Sequence, residues 1–216
     1  QHPTLDKLAA LLPPALALHA VFDGWRRQAV MMAAQEKRVD ADVAQLAFDD
    51  GAIEMIDAWF ASIDARMLDA VPAEQLATLS IRKKILALVE ARLALLAPDR
   101  EALRRALAIL ALPTNAARAA KLAWRAADIM WRAAGDTAAD FNHYTKRTTL
   151  TAVYASTLLV FVDDESESHA DSRAFLARRV ENVIQFEKAK AKWKGVGGGE
   201  RLSLARFIGR LRYPAI

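Results

Sequence analysis

Residues 124–150 read WRAADIMWRAAGDTAADFNHYTKRTTL, and residues 151–162 continue as TAVYASTLLVFV. Trp124 and Trp131 are seven residues apart, so both lie on one face of a helix that ends near Gly135. The threonines and valines that follow favour a strand, but a second set recurs at the spacing of one helical face. That set is Leu150, Val153, Tyr154, Thr157, Leu158 and Phe161. We therefore predict two helices here, with a polar junction between them.

The rest of the 216-residue chain has the same helical character. It contains only 8 glycines and 7 prolines, and alanine, leucine, arginine and glutamate dominate. We predict an all-α protein with two main parts. Residues 1–51 form a small head of three short helices in a helix-turn-helix outline, in which prolines at 13 and 14 kink or break the first helix. Residues 52–194 form a larger helical body.

The C-terminal residues form a separate unit. Residues 195–199 are rich in glycine and predict a linker, and residues 200–216 predict a tethered amphipathic helix. Its apolar stripe consists of Leu204, Phe207, Ile208 and Leu211. Its flanking cations are Arg201, Arg206, Arg210 and Arg212. Such a helix is typical of a membrane interface, and packing on the protein body or on a neighbouring subunit are the alternatives.

Composition excludes several kinds of site. The chain has no cysteine, which rules out disulfides and thiolate metal sites. The net charge of +4 is too small to indicate nucleic-acid binding by itself. The longest apolar runs, such as residues 158–162, fall far short of the ~20 residues of a membrane span. No secretory signal is evident.

No catalytic motif stands out. The histidines at 2, 19, 143 and 169 are scattered, and zinc-protease, nucleotide-binding and nucleophile-elbow motifs do not occur. Glu90 and Asp128 fall in apolar helices, where we expect buried ion-pair partners rather than acid–base groups. We therefore expect neither an enzyme nor a bound cofactor or metal.

The helix-turn-helix outline suggests DNA binding, but its charge opposes that function. Residues 39–57 contain six carboxylates and no lysine or arginine. They are Asp40, Asp42, Asp49, Asp50, Glu54 and Asp57. Because a recognition helix lies against phosphates, this stretch is repelled by a duplex, and the basic residues of the preceding helix do not reverse the effect. We predict no nucleic-acid partner.

Polar and aromatic side chains are mixed at the junction formed by residues 136–147. From physical chemistry alone, a partner surface or head-group site and an ordinary capped loop fit this junction equally well.

Several motifs in and before this region resemble the ubiquinone (coenzyme Q) biosynthesis accessory protein family, lipid-binding relatives of the TetR regulators. They are WRAADIMWRAAGD at 124–136, DFNHYTKR at 140–147, YASTLL at 154–159 and DESESHADSRAFLARR at 164–179. FDGW at 22–25 and VEARLALLAPDREALRRALAILALP at 89–113 are also similar to it.

The resemblance implies a TetR-like fold and a homodimer formed through the last long helices. It implies an accessory protein that holds an isoprenoid quinone intermediate, or a phospholipid, and presents the quinone to a di-iron ring hydroxylase. Such a protein is peripheral to the membrane, on the cytoplasmic face of a bacterial inner membrane or on the mitochondrial matrix side. The alternative is a ligand-responsive transcription regulator of TetR type.

The resemblance also suggests which residues form the sites. The apolar faces expected to line or border a lipid cavity carry Leu122, Ile129, Met130, Val153, Tyr154, Leu158 and Phe161. Arg147, expected at the start of a helix, is the candidate head-group contact, because a guanidinium pairs with oxyanions bidentately. The expected partner surface comprises Asp140, Asn142, His143, Tyr144 and Lys146. The family usually has tryptophan where this chain has His143, so one aromatic anchor is missing there.

Overall fold

The computed structural model describes residues 4–137 and 141–196, and within them every regular element is a helix. The α-helices are α1 Leu5–Leu11, α2 Pro13–Asp23, α3 Arg27–Glu36, α4 Ala41–Leu46, α5 Ala52–Ala70, α6 Ala73–Ala77, α7 Ile81–Leu96, α8 Arg100–Leu110, α9 Ala116–Ala133, α10 Phe141–Phe161 and α11 Ala170–Val196. The predicted all-α class is confirmed.

Local signals set several of the limits of the first four helices, which are short. Pro13 is the first residue of α2, where its missing N–H has no partner to lose, so the expected first helix is divided into two. Gly24 ends α2 with a φ of 71°, which is the turn expected at this point. Asp40 caps α4, since its carboxylate accepts hydrogen bonds from the backbone N–H groups of Asp42 and Val43 at 3.0 and 3.1 Å.

Helix α5 is the centre of the fold and packs against α1, α2, α7, α8 and α9. Its Trp59 is fully buried and lies 5.2 Å from the ring of Trp25. The indole N–H of Trp25 donates to the carbonyl of Ala102 in α8 at 2.9 Å. These contacts join the first helices to the later ones and do not separate a head from a body. The division at residue 51 therefore stays a prediction.

Residues 146–161 are helical, as the apolar spacing predicts. The helix starts earlier than expected, at Phe141, so the expectation that Arg147 begins a helix is wrong. Helix α6 was not predicted. Helix α11 extends to Val196, two residues into the predicted linker of residues 195–199. The rest of that linker and the amphipathic segment 200–216 lie outside the described residues.

The last three long helices, α9, α10 and α11, pack side by side in chain order. Helix α10 lies between α9 and α11 and packs against both, and α7 also contacts all three. The connection between α9 and α10 turns at Gly135, which has a φ of 90°. This arrangement places α9 and α10 over α5, α7 and α8, and the candidate site lies between them.

Candidate functional site

A pocket of about 220 Å³ lies between α5, α7, α8, α9 and α10. Eleven of its lining residues are apolar: Phe60, Leu107, Leu110, Ala111, Ala119, Leu122, Ala123, Ala126, Ala155, Leu158 and Leu159. The other two are Arg92 and Tyr154. A concave apolar site with a few converging polar groups is the usual form of a small-molecule site.

The sequence of α9 explains why there is space here. Ala119, Ala123 and Ala126 follow one another at helical spacing on the face that lines the pocket. Alanine side chains are short, so they leave space that larger side chains would fill. Leu159 is 62% exposed, which shows that the pocket reaches the surface beside it.

The polar end of the pocket is an ion-pair network that crosses four helices. Arg92 is 1% exposed, and its Nε–H donates to the hydroxyl of Tyr154 at 2.9 Å. The same guanidinium donates to Asp64 through Nη1. Arg125 of α9 donates to the other carboxylate oxygen of Asp64 at 3.1 Å and also pairs with Asp57. The network therefore contains two arginines and two aspartates, and its formal charge is zero.

Burial determines the ionisation states at this end. It raises the pKa of the Tyr154 phenol, although the neighbouring Arg92 acts in the opposite direction. Burial alone lowers the pKa of Arg92, but Tyr154 and Asp64 outweigh it, and the pKa is raised above its ordinary value. At neutral pH the site therefore presents a protonated phenol and a guanidinium cation.

Three of the seven residues expected at a cavity line this pocket, namely Leu122, Tyr154 and Leu158. The other four are not among its lining residues. Met130, Val153 and Phe161 are buried in the core, and Ile129 is half-buried against it. The helical stripe of α10 therefore divides between the pocket and solid core, and the sequence pattern does not distinguish the two.

Sequence analysis missed the contributions of α5, α7 and α8. For α7 the sequence does contain a signal of a polar site. Arg92 lies on the same helical face as the buried residues Ile85, Leu88, Val89 and Leu96. A cation at a core position requires a buried partner or a polar cavity. The apolar residues of α8 carry no comparable signal, because pocket-lining and core-forming leucines have the same pattern.

A second polar cluster holds the α9–α10 junction. Arg147 is 1% exposed, and its guanidinium lies 2.5 Å from Asp128 and 3.0 Å from Asp136. Lys146 pairs with Asp136 at 2.6 Å. Burial alone would raise the pKa of Asp136, but the hydrogen bonds from Lys146 and Arg147 leave it below its usual value. Because two carboxylates already hold Arg147, a lipid head group would have to displace them to reach it.

The expected partner residues around this cluster differ in accessibility. Tyr144 is 61% exposed, with its ring 6.2 Å from Trp124 and 5.2 Å from His143. His143 and Lys146 are half-buried. Asp140 lies outside the described residues, and Asn142 is described only as part of the backbone of α10.

The two carboxylates singled out in apolar helices have different surroundings. Asp128 is a structural ion-pair partner, as expected, and binds Arg132 at 2.7 Å as well as Arg147. Glu90 is exposed, so the expectation that it is a buried ion-pair partner is wrong. Within residues 4–137 and 141–196, no cluster of histidines and carboxylates could hold a metal ion. In the same residues no helix has the length and apolarity to cross a membrane.

Comparison with known proteins relates this region to a family. The COQ9 family model matches residues 116–187, which include α9, α10 and most of α11. The human ubiquinone biosynthesis protein COQ9, mitochondrial, is 33% identical over 181 residues, which cover 81% of this chain and 57% of the human protein. The Drosophila melanogaster protein of that name is 25% identical over 196 residues, covering 89% and 60%. The chain spans little more than half the length of these relatives.

A solved structure has a similar fold. The TetR transcriptional regulator from Nitrosomonas europaea ATCC 19718 aligns with a TM-score of 0.66 and 24% identity, covering 83% of this chain and 99% of the regulator. At that identity the likeness concerns the fold alone, and it confirms the TetR-like architecture.

Proposed function

Because this chain belongs to the COQ9 family, we propose that it is a non-enzymatic accessory protein of ubiquinone biosynthesis. It holds an isoprenoid quinone intermediate and presents it to a di-iron ring hydroxylase at the membrane. The observation that supports this proposal is the pocket beside α9 and α10, which is lined by eleven apolar residues. Eight of its thirteen lining residues lie in the region that the family model matches.

The physical basis is the insolubility of an isoprenoid tail. Each methylene moved from water into an apolar pocket contributes ~0.8 kcal/mol, so even a few isoprene carbons supply useful affinity. The volume of about 220 Å³ is below the ~300 Å³ lower bound typical of ligand pockets. The pocket therefore takes only part of a long-chain quinone, and the remaining tail leaves past Leu159.

Filling the pocket tests this function. Ala123→Leu places a larger side chain into the lining, while Ala120→Leu makes the same change at an exposed position of α9. We expect wild type and Ala120→Leu to carry isoprenoid quinone or phospholipid when purified from cells, and Ala123→Leu to carry several-fold less. Mass spectrometry of the extracted lipids measures the difference. Lipid-free wild-type protein, or equal lipid in both variants, contradicts the proposal.

The surface around Tyr144 is the proposed docking site for the hydroxylase. It comprises the exposed ring of Tyr144 and the neighbouring residues Asp140, Asn142, His143 and Lys146. An exposed aromatic side chain beside charged groups is the composition of an interface hot spot. The proposed homodimer uses the last long helices, α10 and α11.

A TetR-type regulator is the second candidate, favoured by the similar fold of the Nitrosomonas protein. The charge of the head opposes it, because Asp42, Asp49 and Asp50 are exposed on and after α4. These carboxylates would face the DNA phosphates if α4 were a recognition helix. A salt-dependent gel shift on the promoter region of its own gene would support the regulator.

A further inference from the structure

The two polar residues of the pocket, Arg92 and Tyr154, lie at one end of an otherwise apolar lining. Both side chains are buried, so their polar groups face the protein interior and the pocket rather than bulk water. The hydroxyl oxygen of Tyr154 accepts a hydrogen bond from Arg92. Among the hydrogen bonds of the described residues, this hydroxyl donates none. A phenol can donate one hydrogen bond as well as accept, so its proton is available to a molecule in the pocket.

The charge balance of the network restricts which molecule this can be. Arg92 and Arg125 are matched by Asp57 and Asp64, so the network, whose Arg92 and Asp64 are buried, is already neutral. A phosphate or carboxylate placed here would add an uncompensated negative charge in a region of low dielectric constant. A neutral group with an acceptor oxygen adds no charge and receives the hydrogen bond. The polar end therefore suits a carbonyl, phenol or ether oxygen.

We propose that Tyr154, oriented by Arg92, is a specificity-determining residue that selects a neutral, oxygen-bearing head group, such as a quinone ring, over an anionic phospholipid head group. This inference rests on the proposed lipid-binding function. It gives the bound molecule a direction, with the oxygen at Tyr154 and the tail towards Leu159. Tyr144 precedes Tyr154 by ten residues, about 15 Å along α10. The head group thus lies at the end of the pocket nearer the proposed docking surface.

Tyr154→Phe removes the hydroxyl and keeps the ring. Thr78→Val, the control, removes a hydroxyl at an exposed position outside the pocket. Diphenylhexatriene, an apolar fluorophore without oxygen, serves as the reporter ligand. Decylubiquinone and dodecyl phosphate are then compared as displacing ligands with similar tails. In wild type we expect decylubiquinone to displace the reporter at lower concentration than dodecyl phosphate does.

Loss of one hydrogen bond should weaken decylubiquinone binding to Tyr154→Phe about 5-fold. The affinities for the reporter and for dodecyl phosphate should remain unchanged, and Thr78→Val should match wild type. Equal decylubiquinone affinities in Tyr154→Phe and wild type, or tighter binding of dodecyl phosphate, overturn the inference while leaving lipid binding intact. Wild-type protein that binds neither reporter nor quinone refutes the proposed function and the inference with it.

A second measurement does not depend on affinity. A quinone carbonyl that accepts a hydrogen bond has a lower infrared stretching frequency than a free one. In difference spectra at saturating decylubiquinone, wild type should show a lowered carbonyl band that returns to higher frequency in Tyr154→Phe. An unshifted band in wild type contradicts the proposed contact.

Discussion

At the scale of single residues, Asp164 has the most complete hydrogen bonding of the buried carboxylates. One of its oxygens accepts from the backbone N–H of Ser166 at 2.9 Å, and the other accepts from the backbone N–H of Ser172 at 2.8 Å. Both serine hydroxyls also donate to it, at 2.5 Å. Burial alone would raise the pKa of Asp164, but these donors hold it well below its usual value. A single side chain thus fixes the turn that leads into α11.

Asp164→Asn should destabilise the protein by about 2 kcal/mol at pH 7, because hydrogen bonds to a charged acceptor are lost. The folded-state pKa is depressed, so this stabilisation is fully present above the unfolded pKa of about 4 and is lost as the pH falls below it. The difference between wild type and variant should therefore shrink below about pH 4. Urea denaturation across pH 3–7 measures it, with the exposed neighbour in Asp163→Asn as control. If the difference in unfolding free energy between wild type and Asp164→Asn does not change with pH, this role of Asp164 is contradicted.

Tyr144→Ala should weaken binding to the di-iron hydroxylase by about 10-fold, since a central interface aromatic typically contributes 1–2 kcal/mol or more. The side chain is 61% exposed, so unfolding stability should change by less than about 0.5 kcal/mol. Binding is measured by calorimetry and stability by thermal melting. Leu46→Ala, at an exposed leucine of α4 outside the proposed interface, is the control and should retain affinity. A parallel loss of affinity and stability would mean that Tyr144 is structural.

At the scale of elements, the junction of α9 and α10 depends on backbone conformation as well as on charge. Gly135 has a φ of 90°, and a Cβ added there would meet nothing nearer than the Lys84 ammonium, at 3.9 Å. The turn is followed at once by Asp136, which pairs with Lys146 and Arg147. Glycine is therefore favoured at position 135 because of the positive φ, and not because a larger side chain would lack space.

Gly135→Ala should cost about 1–2 kcal/mol in the free energy of unfolding, because a Cβ disfavours positive φ. Gly135→Asn should cost less, since asparagine adopts left-handed conformations more readily. Chemical denaturation of both variants measures the difference. Equal stability of the alanine variant and wild type would show that this turn adapts without strain.

At the scale of the whole molecule, the proposed function combines the pocket with a membrane-binding segment. A quinone resides in the bilayer, so its carrier has to reach the bilayer surface. Leu204, Phe207, Ile208 and Leu211 form the predicted stripe for this contact, outside the residues that the structure describes. Arginines beside such a stripe add ~1 kcal/mol each near anionic lipid, and salt screens that attraction.

Removing this segment tests the attachment. The full chain should sediment with anionic liposomes at low salt, and a chain ending at Gly197 should stay in the supernatant. Raising the ionic strength should release the full chain, because part of the attraction is electrostatic. Equal sedimentation of both proteins, or sedimentation of neither, would contradict a membrane role for the stripe.

The sequence by itself determined the helical class and much of the helix pattern. Apolar spacing overrode the strand preference of the threonines and valines in residues 146–162, since burial of one continuous face outweighs weak local propensities. Pro13 and Gly24 marked helix limits because proline lacks an N–H and glycine tolerates positive φ. The motifs at 124–136 and 140–147 likewise indicate the family from the sequence alone.

The tertiary structure alone decided where the pocket lies and which groups are available in it. Leu158 and Phe161 share one helical stripe, yet only Leu158 lines the pocket, because the choice depends on which side chains of α5, α8 and α9 stand opposite. The sequence made Arg147 a candidate head-group contact, and only the structure shows that it is paired with Asp128 and Asp136. Such long-range pairing arises from helix packing, and a periodic pattern along one helix carries no information about its partner.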